Sequence, residues 1–273
     1  MPGGRRRVHD GPVTISAARL TPADRLDRWI AAVVEEGERF GITAQGLAAG
    51  RTPVSGGLQV EVPWVPGWTA RDLVAHVGAV MRRATVAVRA GARRDPGPFS
   101  RFPPPRDDLH GWYALGLTEL VTALRTTDPD APAWAFSPAA AGRVHEWARR
   151  LTHEVTVHRM DLRAAAGLDA APVDPVLAGD GVDELLAVLL PRWAGSRPLA
   201  GARATVEVTA TDLDRTWAVT VADGEVAVAE TPAGTADARI EGPADQLLRR
   251  LWGRPARVAT TGDPRAAALL RGR

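Results

Sequence analysis

Trp147-Ala148-Arg149-Arg150-Leu151-Thr152-His153-Glu154-Val155-Thr156-Val157-His158-Arg159-Met160-Asp161 is the stretch on which the fold turns. Within and just before it, Val144, Trp147, Leu151, Glu154, His158 and Asp161 recur at alternating three- and four-residue steps, which makes them one stripe of an α-helix. The first three are ordinary core residues. The last three are ionisable and occupy positions where a helical bundle would place Leu or Val. A buried carboxylate without a partner is costly, and a divalent cation is an economical partner for a Glu/His pair. Glu154 and His158 stand roughly 40° apart around the helix, so both can reach one ion. Taken alone, such a pair is more often two solvated neighbours or a single weak hydrogen bond. The apolar register of Trp147 and Leu151 is what turns this one inward. His153, roughly 100° from Glu154, is a poor co-ligand and reads as a supporting or structural residue.

A third ligand comes from Val65-Pro66-Gly67-Trp68-Thr69-Ala70-Arg71-Asp72-Leu73-Val74-Ala75-His76-Val77-Gly78. Pro66-Gly67 marks a turn, and Thr69 followed three residues later by Asp72 resembles a capping box opening a helix. His76 lies between Leu73 and Val80 on a largely apolar face. By itself such a histidine is more often a satisfied core or boundary residue. With Glu154 and His158 it completes two imidazoles and one carboxylate from two helices, a set that leaves a metal position open.

The two segments together resemble the mycothiol-dependent maleylpyruvate isomerase family, one of the DinB-like metal-binding four-helix bundles. The likeness rests on Trp68-Thr69 through Asp72-Leu73-Val74 to His76-Val77-Gly78, and on Trp147, Arg149-Arg150, His153-Glu154, His158-Arg159 and Asp161. It continues through Leu177 to Leu185, Gly242 to Leu248 and Leu251 to Arg254, and so covers nearly everything from about residue 21 onward. The resemblance implies zinc on His76, Glu154 and His158, mycothiol as thiol cosubstrate, and a sterol-carrier-like C-terminal domain. It also places Arg254 where a guanidinium would orient a substrate carboxylate by paired hydrogen bonds; a solvated arginine at a helix end is nearly as good a reading of the same residue.

Composition narrows the alternatives. A chain of 273 residues with 45% hydrophobic and 24% charged residues has the balance of a soluble globular protein with one sizeable core or two small ones. No apolar run approaches the ~20 residues of a membrane span, and Met1-Pro2-Gly3-Gly4-Arg5-Arg6-Arg7 lacks a signal-peptide core, so a cytoplasmic location is expected. All 34 cationic side chains are Arg, the net charge is only +2, and no basic stripe interleaves with aromatics; nucleic acid is not an expected partner. Arg without Lys, beside abundant Ala and Gly, fits a high-GC genome such as an actinobacterial one. The absence of Cys and Lys removes disulfides, thiolate ligands, a cysteine nucleophile and Schiff-base chemistry. A small-molecule substrate and an external thiol are the expected partners, with the chain a monomer or homodimer.

The expected fold class is α+β. Residues 1–20 read as a flexible, Arg-rich lead. Residues 21–171 read as an antiparallel four-helix bundle, with helices from Thr21-Pro22 to about Phe40, from Thr69 to about Gly91, from about Asp107 to Thr127 and from about Ala141 to Ala166. Long loops are expected at 41–67 and 92–106. Residues 172–273 read as a smaller α+β domain: a helix over Asp174–Trp193, strands near 204–210, 216–222, 225–230 and 236–241, and helices from Pro243 and Asp263. Asp223-Gly224 is a two-residue hairpin signal.

The resemblance implies a mechanism in which a zinc-coordinated thiol, its pKa lowered from near 8.5, attacks an electrophile. Reversible addition to a conjugated double bond gives cis–trans isomerisation; retention of sulfur gives S-transfer. Two competing readings need no thiol: a non-catalytic metal-containing small-molecule-binding protein, and a hydrolase using zinc-bound water. Asp161 is expected to support the site rather than ligate, and one of Arg149, Arg150 and Arg159 to pair with it.

Overall fold

The computed structural model describes residues 22–92, 94–169, 171–194 and 201–272; the expected lead, residues 1–20, and the expected cap at Thr21 lie outside them. Four helices form the first part: α1 (Pro22–Ala48), α2 (Ala70–Ala90), α3 (Leu109–Thr126) and α4 (Val144–Ala165). The starts of α2, α3 and α4 are chemically marked. Thr69 and Asp72 close a reciprocal capping box on α2, Asp108 accepts from the Gly111 N–H on α3, and Glu146 accepts from the Arg143 N–H on α4. α1 packs on α4 and α3, and α2 packs on α3 and α4, so the four enclose one apolar core.

α1 runs eight residues past the expected end at Phe40. Gly41 and Gly46 obscure the pattern in sequence, but Phe40, Ala44 and Leu47 continue the buried stripe begun by Leu26, Ile30 and Val33. The expected loop from residue 41 is therefore helix as far as Ala48. Gly78 on α2 has a packing reason: a Cβ there would come within 2.2 Å of the Trp112 ring, which lies against the helix.

The second part makes the protein α+β. α5 (Pro175–Glu184), capped by Asp174, passes through a single π turn (Leu185–Leu189) into α6 (Leu190–Ala194). A five-stranded sheet follows, with β1 (Arg203–Ala210), β2 (Arg215–Ala222), β3 (Glu225–Ala229), β4 (Ala238–Gly242) and β5 (Ala259–Gly262) in the order β3-β2-β1-β4-β5. β4 runs parallel to β1 and the other neighbours pair antiparallel. Asp223 and Gly224 form the expected hairpin turn, with φ of 53° and 83°, the positive values a type I′ turn requires. β5 is an addition to the strands expected; its four residues are all exposed and offer no alternation to read. α7 (Ala244–Leu251) and α8 (Pro264–Leu269) complete the second core.

α4 serves both cores. Val144, Trp147, Leu151 and Val155 pack into the first, and Val157 and Met160 into the second. A polar tie reinforces this junction: the Asp180 carboxylate on α5 accepts from Trp29 Nε1 of α1 (3.2 Å), Arg149 Nε (3.0 Å) and His153 Nε2 (2.7 Å) of α4. Among the described residues no helix is long and apolar enough to cross a membrane.

Burial would raise the Asp180 carboxyl, but Arg149 and the His153 hydrogen bond outweigh it and hold it below the ordinary value of 3.8. A depressed folded-state pKa supplies stability above the unfolded value that is lost as pH falls. Asp180→Asn should therefore destabilise at pH 7 by about 2 kcal/mol and flatten the loss of stability below pH 3.8. Thermal melts of the two proteins at pH 7 and in acid check this; parallel pH profiles would refute it.

Candidate metal centre

One ligand atom each from His76, Glu154 and His158 lies within 4.8 Å of the others. His76 Nε2 is 3.0 Å and His158 Nε2 is 3.3 Å from the same oxygen, Glu154 Oε1. The three side chains are 23%, 12% and 14% exposed, in that order, so the corner is largely shielded yet reachable. The imidazole rings of His76 and His158 meet edge to face at 5.2 Å, and Trp68 and Phe99 flank His76 at 5.0 and 5.5 Å.

The remaining polar atoms of the two α4 ligands are already held. His158 Nδ1 donates to Asp161 Oδ2 at 3.0 Å, which leaves the Nε2 lone pair facing the corner. A metal-bound histidine takes this tautomer, with a carboxylate behind it. Arg150 donates to Glu154 Oε2 and leaves Oε1 toward the imidazoles. This donor set fits a divalent ion with an open position, zinc among those that accept two imidazoles and one carboxylate.

The second part of the chain braces both α4 ligands. Arg150 is clamped from behind by Glu184, a buried residue at the end of α5. Asp161 accepts from Arg254 Nε at 2.9 Å and Nη2 at 2.6 Å, and both residues are buried. Arg254 thus makes the paired hydrogen bonds expected of it, but to a carboxylate of its own chain. The expected local partner of Asp161 is corrected accordingly: Arg149 binds Asp180 and Asp183, Arg150 binds Glu154 and Glu184, and Arg159 binds Glu36. A distant guanidinium reaches Asp161 because Arg149 and Arg159 leave the helix on other faces and Arg150, near the same face, lies about three turns away and is held by Glu154 and Glu184. Glu184 escaped the sequence reading, since nothing in its spacing shows that α5 ends against Arg150.

The electrostatics follow from these contacts. Burial disfavours the Glu154 carboxylate, but Arg150 and His158 outweigh it and hold the group well below the usual range. Burial likewise lowers His158, yet Glu154 and Asp161 push it up to about 9.

With this geometry in place, two family models match the chain: the mycothiol maleylpyruvate isomerase N-terminal domain over residues 41–163, and the MDMPI C-terminal domain over residues 176–269. The chain belongs to this family. Among solved structures, mycothiol-dependent maleylpyruvate isomerase superposes with a TM-score of 0.58 at 16% identity, covering 86% of this chain and 92% of that one. A mutant of the same isomerase matches equally, at 0.58 and 15% identity over the same shares. At such identity the likeness is one of fold. No curated protein matches the chain in sequence.

Two outcomes are expected of the centre. Metal and proton compete for His158, so metal affinity should rise by about tenfold per pH unit below about 9 and level off above it. Competition with a chelator of known pH dependence measures this, and a flat profile would refute it. Asp161→Asn should weaken metal binding by about 10- to 100-fold through loss of the support behind His158. The same titration tests it; unchanged affinity would show that Asp161 serves the fold alone.

Proposed function

We propose that the chain is a mycothiol-dependent metalloenzyme acting on an electrophilic small molecule, with zinc held by His76, Glu154 and His158. The observation that supports it most directly is the Asp161–His158 pair. That bond directs one imidazole lone pair into a corner already lined by a second imidazole and a carboxylate. Membership of the isomerase family supplies the thiol. When bound, the metal provides an open coordination position at which a thiol loses its proton near neutral pH.

The chain's own residues do the rest by holding charge and geometry. Arg150 fixes Glu154 through the oxygen that faces away from the imidazoles, and Asp161 fixes the tautomer of His158. Arg254 is a positioning residue in this proposal: it acts through Asp161. Residues 21–171 and 172–273, the two domains expected from sequence, build one active site, because Glu184 and Arg254 reach from the second to Arg150 and Asp161, the residues that hold Glu154 and His158 in the first. No side chain of the sequence is a Cys or Lys, so an external nucleophile completes the chemistry. Reversible addition of that thiolate to a conjugated double bond, rotation and elimination give isomerisation; S-transfer shares the first step.

His158→Ala should lose most of its bound metal, and wild-type turnover of cis-enoyl acids should require mycothiol. The assay compares mycothiol, a different small thiol and no thiol. Full metal occupancy in His158→Ala would overturn the ligand set. Turnover independent of thiol would favour hydrolysis by zinc-bound water, and no turnover with any thiol would favour a binding protein.

A further inference from the structure

Beside Glu154 lies a cavity of about 100 Å3, walled by the rings of Phe99, Phe136 and Trp147 and by the guanidiniums of Arg83, Arg150 and Arg192. It is well below the ~300–1,000 Å3 of pockets for drug-sized ligands, so it suits a ligand of few heavy atoms. The three arginines are not equivalent. Arg150 is saturated by Glu154 and Glu184. Arg83 is anchored: its Nε donates to the Gly97 carbonyl at 2.8 Å, its guanidinium lies 4.5 Å over the Trp134 ring, and Asp95 approaches to 3.7 Å. Arg192 has no hydrogen bond or ion pair among the described residues; the charges that act on it are Arg150, which repels it, and Glu154.

The backbone explains how Arg192 reaches this wall. Glu184 and Arg192 are eight residues apart, which in a regular α-helix would set them about 80° apart. The π turn at Leu185–Leu189 accommodates one extra residue, so the pair behaves as if seven apart and returns to within about 20° of one face. One element therefore presents a carboxylate to Arg150 from behind and a guanidinium to the cavity in front. A divalent ion at the corner would add positive charge to a wall that already has a cation to spare.

We propose that Arg192 is the residue that selects and holds the acid end of the substrate, pairing with a carboxylate of a small organic anion seated between the aromatic rings and the metal corner. The proposal rests on the thiol-enzyme reading for what is done to that anion, but the binding step does not depend on it. Arg83 forms a fixed second positive wall, and Arg192, at the exposed rim, closes on the anion by a charge-assisted pair.

Calorimetric titration of maleate into the metal-loaded protein tests this. Wild type should bind maleate; R192Q should bind it about 10- to 100-fold more weakly, R192K should fall between, and all three should carry the same metal. Where thiol-dependent turnover is seen, R192Q should raise KM for an anionic electrophile far more than it lowers kcat. Equal maleate affinity in wild type and R192Q, or no maleate binding to wild type, would overturn the proposal. So would a loss of mycothiol affinity in R192Q that matches the loss for maleate, because the cavity would then belong to the cosubstrate. Absence of any thiol-dependent turnover would sink the enzyme reading and leave the maleate titration to decide this one.

Discussion

A carboxylate placed inside a helical bundle has to be compensated, and the compensation of Glu154 organises the site. One oxygen is held by Arg150 and the other faces two imidazoles. Around this corner three buried or largely buried carboxylates, Glu154, Asp161 and Glu184, meet two guanidiniums, Arg150 and Arg254. One negative charge is left over. A divalent cation exceeds it by one, and a thiolate at the open position would restore neutrality. The same excess of negative charge is what pushes His158 up to about 9.

The compensation is not local to the bundle. Both supporting contacts come from beyond residue 172, Glu184 through Arg150 and Arg254 through Asp161. α4 also packs residues into both cores. A bundle with this ligand triad but no second part would leave Arg150 and Asp161 each short of a buried partner, and breaking a buried ion pair is strongly destabilising. The second part is thus a wall and a brace of the candidate metal corner, and its π turn sets which residue of α6 faces the cavity.

Much of this was legible in the chain. The 3–4 alternation of Val144, Trp147, Leu151, Glu154 and His158 gave the helix and the inward turn of its ionisable residues. Thr69 with Asp72 marked the start of α2, and Asp223-Gly224 fixed the hairpin by its need for positive φ. What escaped lacks a local signal. Gly41 and Gly46 hide the last turns of α1, and the close neighbour that explains Gly41, Tyr113, lies on α3, far off in sequence. β5 is exposed and too short to alternate. The Arg254–Asp161 pair spans 93 residues, so spacing favoured the arginines of α4 itself, which the fold assigns to other carboxylates. A pairing that depends on tertiary docking cannot be read from a helical wheel.

The central claim is that this corner holds a metal and presents it to a thiol. Replacing the native metal with cobalt(II) makes both halves visible in one absorption spectrum. The account predicts a tetrahedral cobalt spectrum in the wild-type protein and a new thiolate-to-cobalt charge-transfer band in the near ultraviolet when mycothiol is added. A cobalt spectrum that stays unchanged at saturating mycothiol would contradict it.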